Sequence, residues 1–251
     1  MIFRDCLSWG GVFLTKVELL DPPGVLPGYL SQLPLVHAMY EKPLELTTKV
    51  TVITGENGSG KSTLIEAIAI GMRINPAGGS RHAYFDRTEE IASPLHHSLK
   101  LVRSKNPRDA FFIRGETMFN TASYYESLGE GALTDLHQMS HGESIFAVIN
   151  RRFHTGGLFI LDEPEAGLSM LRQVELLGKL TNLARDGAQV IMATHSPILL
   201  GIPGAAIVAI TDDGFEHIDF ERAEPLQAAR EFVDDPRGVA QFLIGEDGAV
   251  Q

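Results

Sequence analysis

Short apolar runs alternate along this chain with longer segments whose apolar residues recur every three or four positions. Three of the short runs, 49–54, 110–114 and 158–161, are rich in β-branched, aromatic or other apolar residues, which is typical of buried strands. Longer segments that follow such runs, for example 169–185, have helical spacing. Strands that alternate with helices pair in parallel, so the pattern predicts an α/β fold with a largely parallel central sheet flanked by helices.

The same patterns predict the remaining elements. A helix is expected from Ser62 up to the chain breakers at 75–79, and another over 140–153, where Ser140 and Glu143 have the spacing of a capping box. Further predicted elements are strands at 189–193, 206–210 and 215–220, a hairpin turn at 212–214, a short helix at 94–102, and two C-terminal helices that begin near Pro225 and Pro236, the second with Asp235 as N-cap.

Composition and charge narrow the class of protein. The chain has 251 residues, of which 44% are hydrophobic and 21% charged, so it can bury a full core and is neither disordered nor fibrous. A net charge of −11 argues against a main surface built for nucleic acid or anionic membrane. With Cys6 as the only cysteine and no apolar run of roughly 18 residues, we expect a cytoplasmic protein without a membrane span.

The first candidate chemistry lies in residues 55–62, which match the P-loop pattern in full between a predicted strand and a predicted helix. The glycines let backbone N–H groups surround a phosphate, Lys61 can reach the β- and γ-phosphates, and the Ser62 hydroxyl can bind Mg²⁺. Thr63 is expected to contact the α-phosphate. The candidate nucleotide-binding residues are therefore Gly55, Glu56, Asn57, Gly58, Ser59, Gly60, Lys61, Ser62 and Thr63.

A second motif, Leu-Phe-Ile-Leu-Asp-Glu-Pro at 158–164, places two carboxylates at the carboxyl end of a buried strand. Parallel α/β sheets bind their ligands at that edge. We expect Asp162 to hold Mg²⁺ and Glu163 to polarise the attacking water, since phosphoryl transfer depends mainly on positioning and charge. Asp-Glu-Pro alone is also typical of a simple turn, but its combination with the P-loop favours a nucleotide hydrolase.

With these motifs in this order, the chain resembles the ATP-binding-cassette (ABC) ATPase superfamily, whose ligands are ATP and Mg²⁺. Residues 139–143, Met-Ser-His-Gly-Glu, resemble the family's signature motif. In that family the signature serine and glycine reach across a dimer interface to the γ-phosphate bound by the other subunit. The resemblance therefore implies that Ser140 and Gly142 contact nucleotide in trans, whereas the residue pattern alone indicates only a helix cap.

Three further positions are implied by the resemblance. His195 follows the strand at 189–193, where the family has a histidine that bonds the γ-phosphate, and 165–169 resembles the D-loop of the same interface. Glu116 stands where the family usually has a glutamine that reaches Mg²⁺ and water. By resemblance, the catalytic residues are Lys61, Glu163 and His195, and the metal ligands are Ser62, Asp162 and Glu116.

Two departures from the family pattern point to one branch. His141 stands where the signature normally has glycine, and only 24 positions separate Glu116 from Ser140, which is short for the helical subdomain of transporter ATPases. The chain looks closer to the small stand-alone AAA-family ATPases of bacteria that resemble RecF and SMC proteins. This resemblance implies one ABC-type ATPase domain over 1–251, with an antiparallel N-terminal β portion and a short helical subdomain at about 117–150.

The leading hypothesis is a Mg²⁺-dependent ATPase in which two copies of the chain enclose ATP between them. Three alternatives stay open at this point: the ATP-binding subunit of an ABC transporter, a nucleotide-gated interaction module, and a DNA-repair ATPase. The acidic charge and the lack of coiled-coil heptads argue against the last. Direct membrane insertion and nucleic-acid binding are not expected, and the sequence does not identify any further protein partner.

Overall fold

The computed structural model of the chain describes residues 12–76, 78–80, 93–115 and 141–244. The strands are β1 (Leu14–Leu19), β2 (Leu44–Glu45), β3 (Val50–Gly55), β4 (Gly79–Ser80), β5 (Leu99–Arg103), β6 (Asp109–Arg114), β7 (Gly157–Asp162), β8 (Gln189–Ala193), β9 (Ala206–Thr211) and β10 (Gly214–Ile218). The α-helices are α1 (Gly28–Ser31), α2 (Pro34–Glu41), α3 (Lys61–Gly71), α4 (His141–Arg152), α5 (Met170–Arg185), α6 (Glu224–Asp234) and α7 (Pro236–Ile244).

Seven strands form the central sheet in the order β10-β9-β3-β8-β7-β6-β4. The five inner strands are parallel to one another, and the two outermost strands, β10 and β4, are antiparallel to their neighbours. The carboxyl ends of the inner strands therefore meet along one edge, as the sequence predicts. The predicted α/β fold with a largely parallel sheet is confirmed.

Both faces of the sheet are covered at β7, which explains why this strand is apolar from Leu158 to Leu161. Along β7, Leu158 and Ile160 belong to one buried cluster, which also contains residues of α2, α3 and strands β1 and β2. Phe159 and Leu161 belong to the other cluster, together with residues of α4 and α5. Successive side chains of a strand point to opposite faces, so a strand that is buried on both sides carries no polar alternation.

A separate three-stranded antiparallel sheet, in the order β2-β1-β5, confirms the antiparallel N-terminal β portion. The short helix predicted over 94–102 is confirmed only in its first half: a 3-10 helix spans Pro94–Ser98, and strand β5 follows it directly at Leu99. Pairing with β1, in which Leu19 lies opposite Leu99, satisfies the backbone of this segment as a strand. The partly buried Leu99 and Leu101 alternate with the exposed Lys100 and pack against the core.

One buried side chain ties the small sheet to the central one. Gln189, at the start of β8, is fully buried, and its Oε1 accepts hydrogen bonds from the backbone nitrogens of Phe13 and Leu14 at 2.8 and 2.9 Å. Its Nε2 donates to the Leu14 carbonyl at 2.8 Å. Because a buried amide must be satisfied, this position fixes where β1 lies relative to β8.

The C-terminal elements follow the predictions closely. The turn at 212–214 joins β9 to β10 as a hairpin, although β10 ends two residues before the predicted end of the strand. Pro225 lies in the first turn of α6, and Asp235 Oδ1 accepts a hydrogen bond from the Gly238 backbone nitrogen at 2.9 Å, which caps α7 as expected. None of the helices in the described ranges is long and apolar enough to cross a membrane.

The predicted helical subdomain at about 117–150 falls mostly outside the described residues, as do Glu116 and Ser140. Its last ten positions belong to α4, which agrees with the predicted helix over 140–153.

Candidate active site

The P-loop joins β3 to α3 at the carboxyl edge of the sheet and depends on glycine at three positions. Gly55, Gly58 and Gly60 have φ values of 140°, 81° and 100°, which side chains other than glycine rarely adopt. Gly60 also lies close to the core, because a Cβ atom added there would be 2.8 Å from the Leu35 Cβ. The sequence therefore folds as a tight loop at the N-terminus of α3, the arrangement that favours phosphate binding.

Lys61 is nearly buried and bends back over this loop. Its Nζ donates hydrogen bonds to the carbonyls of Gly55 and Glu56 at 2.8 and 2.7 Å. Burial lowers the pKa of the Lys61 ammonium below its usual value, and the nearby carboxylates of Glu163 and Asp162 oppose that decrease. The Lys61 ammonium and the carboxylates of Asp162 and Glu163 are therefore close enough to affect one another electrostatically.

A direct contact joins the two sequence motifs. The Ser62 hydroxyl donates to Asp162 Oδ1 at 3.0 Å, so α3 meets the end of β7 across 100 positions of sequence. A hydroxyl and a carboxylate are oxygen ligands of the kind that Mg²⁺ binds together with water and phosphate. No group of three His, Cys, Asp or Glu side chains that could hold a metal ion occurs within the described part of the chain.

The other oxygen of Asp162 faces Arg114, the last residue of β6. Arg114 Nε lies 3.6 Å from Asp162 Oδ2, and its guanidinium also pairs with Glu66 Oε2 of α3 at 2.7 Å. Glu66 Oε1 in turn accepts a hydrogen bond from the Ser93 backbone nitrogen at 2.8 Å. Arg114 therefore orients the Asp162 carboxylate from the side opposite Ser62. Sequence analysis missed this residue; its signal is a charge at the end of an apolar strand.

Glu163 adopts a left-handed backbone conformation, with φ 47°, immediately after β7. Its nitrogen donates to the Ala193 carbonyl at 3.0 Å and its carbonyl accepts from the Ala166 nitrogen at 3.0 Å. The chain also passes close to Gly115, where an added Cβ would collide with the Glu163 carbonyl oxygen. A left-handed glutamate is uncommon and strained, and such outliers cluster at functional sites when the surroundings hold them.

His195 lies in the loop that leaves β8, between the ends of β3 and β7 in the strand order. Its backbone nitrogen donates to Glu165 Oε1 at 2.9 Å. The same oxygen accepts from the Thr194 hydroxyl at 2.6 Å and the Ser196 nitrogen at 3.1 Å. Sequence analysis placed Glu165 only in the D-loop and missed this contact, because it joins residues about 30 positions apart.

The structure brings together the P-loop residues 55–63, Asp162, Glu163 and His195 at one edge of the sheet. Gly142 lies in the first turn of α4. Ser140 and Glu116, the predicted trans contact and third metal ligand, lie outside the described residues.

A cavity of about 440 Å³ opens beside the P-loop, on the side of β9 and β10. It is large enough for a small organic ligand. Beyond the P-loop, its lining includes Pro34, Ile210, Thr211, Asp212, Glu216, Ile218, Arg222 and Glu224.

Comparison with known proteins supports the resemblance of this chain to ATP-binding proteins. Residues 77–201 match the family described as "AAA domain, putative AbiEii toxin, Type IV TA system", and residues 37–94 match a family described as "AAA domain". The chain is 30% identical over 172 residues to the cytochrome c biogenesis ATP-binding export protein CcmA of Mesorhizobium japonicum, which covers 62% of this chain and 82% of that protein.

A second relative is the zinc import ATP-binding protein ZnuC of Vibrio cholerae, 28% identical over 159 residues, which make up 58% of this chain and 56% of that protein. Among solved structures, the SMC head domain from Thermotoga maritima has a TM-score of 0.45 at 15% identity, over 83% of this chain and 100% of that one. A TM-score below 0.5 at this identity says nothing about activity or assembly. On its motifs, sheet topology and sequence relatives, the chain belongs to the ABC-type ATP-binding proteins, a family of P-loop ATPases.

Proposed function

We propose that this chain hydrolyses ATP with Mg²⁺ and that two copies enclose the nucleotide between them. The observation that carries the proposal is the contact between Ser62 Oγ and Asp162 Oδ1, 3.0 Å apart. It joins the N-terminus of the P-loop helix to the carboxyl end of a buried strand, where α/β sheets bind phosphate ligands.

Binding of the phosphates is assigned to the P-loop backbone and Lys61. The glycine-rich backbone supplies N–H donors, and Lys61 can exchange its two carbonyl contacts in the loop for phosphate oxygens. Ser62 and Asp162 would hold Mg²⁺, which when bound neutralises charge on the β- and γ-phosphates. Glu116 is proposed as a third ligand on the resemblance alone.

Glu163 and His195 are assigned to the attacking water and the γ-phosphate. Glu163 would orient the water and accept its proton, and His195 would donate a hydrogen bond to the γ-phosphate. The backbone hydrogen bond from Glu163 to Ala193, two residues before His195, supports this pairing because it holds the two turns side by side.

The cavity beside the P-loop is proposed to receive the ribose and base. It adjoins Gly55 to Ser59, so a nucleotide whose phosphates lie in the loop can extend into it. Apolar side chains such as Ile210 and Ile218 can pack on the base, while Asp212 and Glu216 offer acceptors for hydroxyl or amino groups.

The second copy is proposed to complete the site through Ser140 and Gly142. On this view the chain is one ABC-type domain over 1–251, works in the cytoplasm, and uses a helical subdomain at about 117–150 to present the signature motif. The resemblance of residues 139–143 to that motif supports this step. Gly142 lies in the first turn of α4, and the N-terminus of a helix favours binding of an anion such as the γ-phosphate.

One observation favours a second candidate function, the ATP-binding subunit of an ABC transporter. The relatives above are named as export and import proteins. Such a subunit would be recovered together with a membrane-embedded partner when it is purified from solubilised membranes of its own cells.

Light scattering of a Glu163→Gln variant tests the proposal. This variant should bind Mg-ATP but stall at hydrolysis, so its solution mass should double when Mg-ATP is added. A Glu163→Gln, Ser140→Arg double variant should bind Mg-ATP with unchanged affinity and stay monomeric, because the added side chain blocks the contact in trans.

Lys61→Ala in the same background is the control, since it should lose ATP binding and therefore the change of mass. If Glu163→Gln binds Mg-ATP without any change of mass, the homodimer is wrong, and the site is completed by another chain or is used differently. If the wild-type chain binds no Mg-ATP, the assignment of the P-loop itself is wrong.

A further inference from the structure

The carboxylate of Glu165 joins the two turns that carry the proposed catalytic residues. Glu165 lies in the turn after β7, two residues beyond Glu163, and its Oε1 accepts three hydrogen bonds from the loop after β8. The donors are the Thr194 hydroxyl at 2.6 Å, the His195 nitrogen at 2.9 Å and the Ser196 nitrogen at 3.1 Å. One oxygen thus collects three donors from three consecutive residues.

The surroundings make these hydrogen bonds strong. Thr194 is fully buried and Ser196 is 4% exposed, so water cannot easily replace Glu165 as their acceptor. Hydrogen bonds to an ionised carboxylate are about twice as strong as those between neutral groups. The second oxygen, Oε2, is buried and has no hydrogen-bond partner among the described residues, so the described contacts of this carboxylate all go through Oε1.

The turn that carries Glu165 is itself held at both ends. The Ala166 nitrogen donates to the Glu163 carbonyl at 3.0 Å, and the Leu168 nitrogen donates to the Glu165 carbonyl at 2.9 Å. On the other side, the Ser196 hydroxyl donates to Gln173 Oε1 of α5 at 2.7 Å. Movement of either turn therefore moves the other.

We infer that Glu165 is a positioning residue that holds the backbone of His195 in place relative to Glu163. The inference rests on the proposed hydrolysis reaction and adds to it a residue that acts through the backbone of the loop after β8. Glu165 acts through His195, since the His195 backbone nitrogen is one of its three donors.

Amide hydrogen exchange tests the positioning directly, without depending on activity. In Glu165→Ala, exchange at the His195 amide should accelerate by about tenfold or more, because it loses its acceptor. The Ser196 amide also donates to the Thr194 hydroxyl oxygen at 2.9 Å, so its rate should change less. The Thr194 amide, which donates to the Ile53 carbonyl at 3.3 Å, is the internal control and should keep its rate. An equal rate at the His195 amide in wild type and variant would overturn the inference, and so would a rise at Thr194 of the same size as at His195.

A second variant, Glu165→Gln, tests whether the charge of the Glu165 side chain matters in addition to its acceptor oxygen. Glu165→Gln keeps a carbonyl oxygen for the three donors and removes the charge, so it should fold as wild type does and exchange at rates between those of wild type and Glu165→Ala. A Glu165→Gln variant that exchanges faster than Glu165→Ala would contradict this reasoning.

Steady-state hydrolysis then shows whether the positioning matters for the reaction. We expect Glu165→Ala to lower kcat by about tenfold or more while the KM for Mg-ATP stays within about threefold, since Glu165 does not bind nucleotide. Combined with His195→Ala, it should cause little additional loss, because both changes impair the proposed contact between the His195 side chain and the γ-phosphate. Glu175→Ala, an exposed carboxylate that pairs with Arg172 on α5, is the matched control and should leave kcat unchanged.

The experiments distinguish a failure of the positioning role of Glu165 from a failure of the proposed ATP hydrolysis. If wild type hydrolyses ATP and His195→Ala impairs it, but Glu165→Ala retains full kcat or adds its loss independently of His195→Ala, the positioning role is wrong and the proposed function stands. If wild type does not hydrolyse ATP, the proposed reaction is wrong, and amide exchange still decides whether Glu165 positions His195.

Discussion

The P-loop and the turns after β7 and β8 hold chemical groups at the same edge of the sheet by different means. In the P-loop, glycine geometry does the holding: Gly55, Gly58 and Gly60 have positive φ, and Gly60 packs against Leu35. In the turns, side chains do it, through the contacts of Arg114 and Glu165. In the first mode the positive φ values arise within the loop itself and only the contact with Leu35 is distant in sequence, whereas the second mode depends throughout on residues far apart in the chain.

The P-loop and the turn after β7 also differ in backbone strain. Glycine adopts left-handed conformations at little cost, so the P-loop can be tight without strain. Glu163 adopts one with φ 47° and carries a cost of about 1–3 kcal/mol, which its surroundings must offset. The backbone hydrogen bonds to Ala193 and Ala166 supply part of that support. Substitutions in the two regions should therefore fail for different reasons.

The largest effect is expected in the P-loop, from Gly60→Ala. The new Cβ would lie 2.8 Å from the Leu35 Cβ in a left-handed backbone, so overpacking adds to strain and the free energy of unfolding should fall by about 3 kcal/mol. Urea unfolding measures this.

Gly58→Ala is the matched control, because Gly58 has a similar φ of 81° but no atom within 4 Å of the added Cβ. Gly58→Ala should lower the free energy of unfolding by only about 1–2 kcal/mol. Equal losses in the two variants would show that contact with Leu35 does not shape the loop.

A smaller effect is expected from Arg114→Ala, which tests the mode of holding used by the turns. It leaves Glu66 and Asp162 buried without their shared cation, and since Arg114 itself is 27% exposed, we expect a loss of about 2 kcal/mol in the free energy of unfolding.

Arg222→Ala removes an exposed pair with Glu216, in which both side chains are about half accessible, and should cost less than about 0.5 kcal/mol by the same urea measurement. If the two arginine variants lose the same stability, the buried position of Arg114 contributes nothing and the comparison between the two regions fails.

The smallest effect concerns the pH dependence of stability, tested with Lys61→Met. Burial lowers the pKa of Lys61 in the folded chain below the usual 10.5 of the unfolded chain, so between those two values the unfolded chain binds more protons. The free energy of unfolding of wild type, relative to Lys61→Met, should therefore rise as the pH approaches 10.5.

Thermal unfolding at a series of pH values between 7 and 10.5 measures this difference. A relative stability that falls with pH would mean that the carboxylates of Asp162 and Glu163 outweigh burial at this lysine.

Most strands and helices could be predicted because their signals are local. The apolar run at 158–161 and the helical spacing at 169–185 depend on neighbouring residues only, and the structure has β7 and α5 there within a residue or so. The helix predicted over 94–102 extends too far, because the conformation of residues 99–102 depends on pairing with β1, about 80 positions earlier in the chain. Pairing partners at that distance leave no periodic signal in a single sequence.

The candidate site divides in the same way. The residue types and spacing of the P-loop and of Asp162 and Glu163 predict phosphate and metal chemistry without any structure, since that chemistry needs those groups next to one another. The role of Arg114 could not be predicted, because a charge at the end of a strand gains its meaning only from the strand beside it. β6 pairs with β7 so that Arg114 lies opposite Asp162.

The sequence by itself therefore determined the order of the elements, the class of fold and the motifs that bind a nucleotide, because propensity, periodicity and glycine geometry act over a few residues. Only the tertiary structure decided which side chains orient those motifs. Parallel pairing places the ends of β3, β6, β7 and β8 along one edge, and there Ser62 and Arg114 become partners of the Asp162 carboxylate and Glu165 a partner of the His195 backbone.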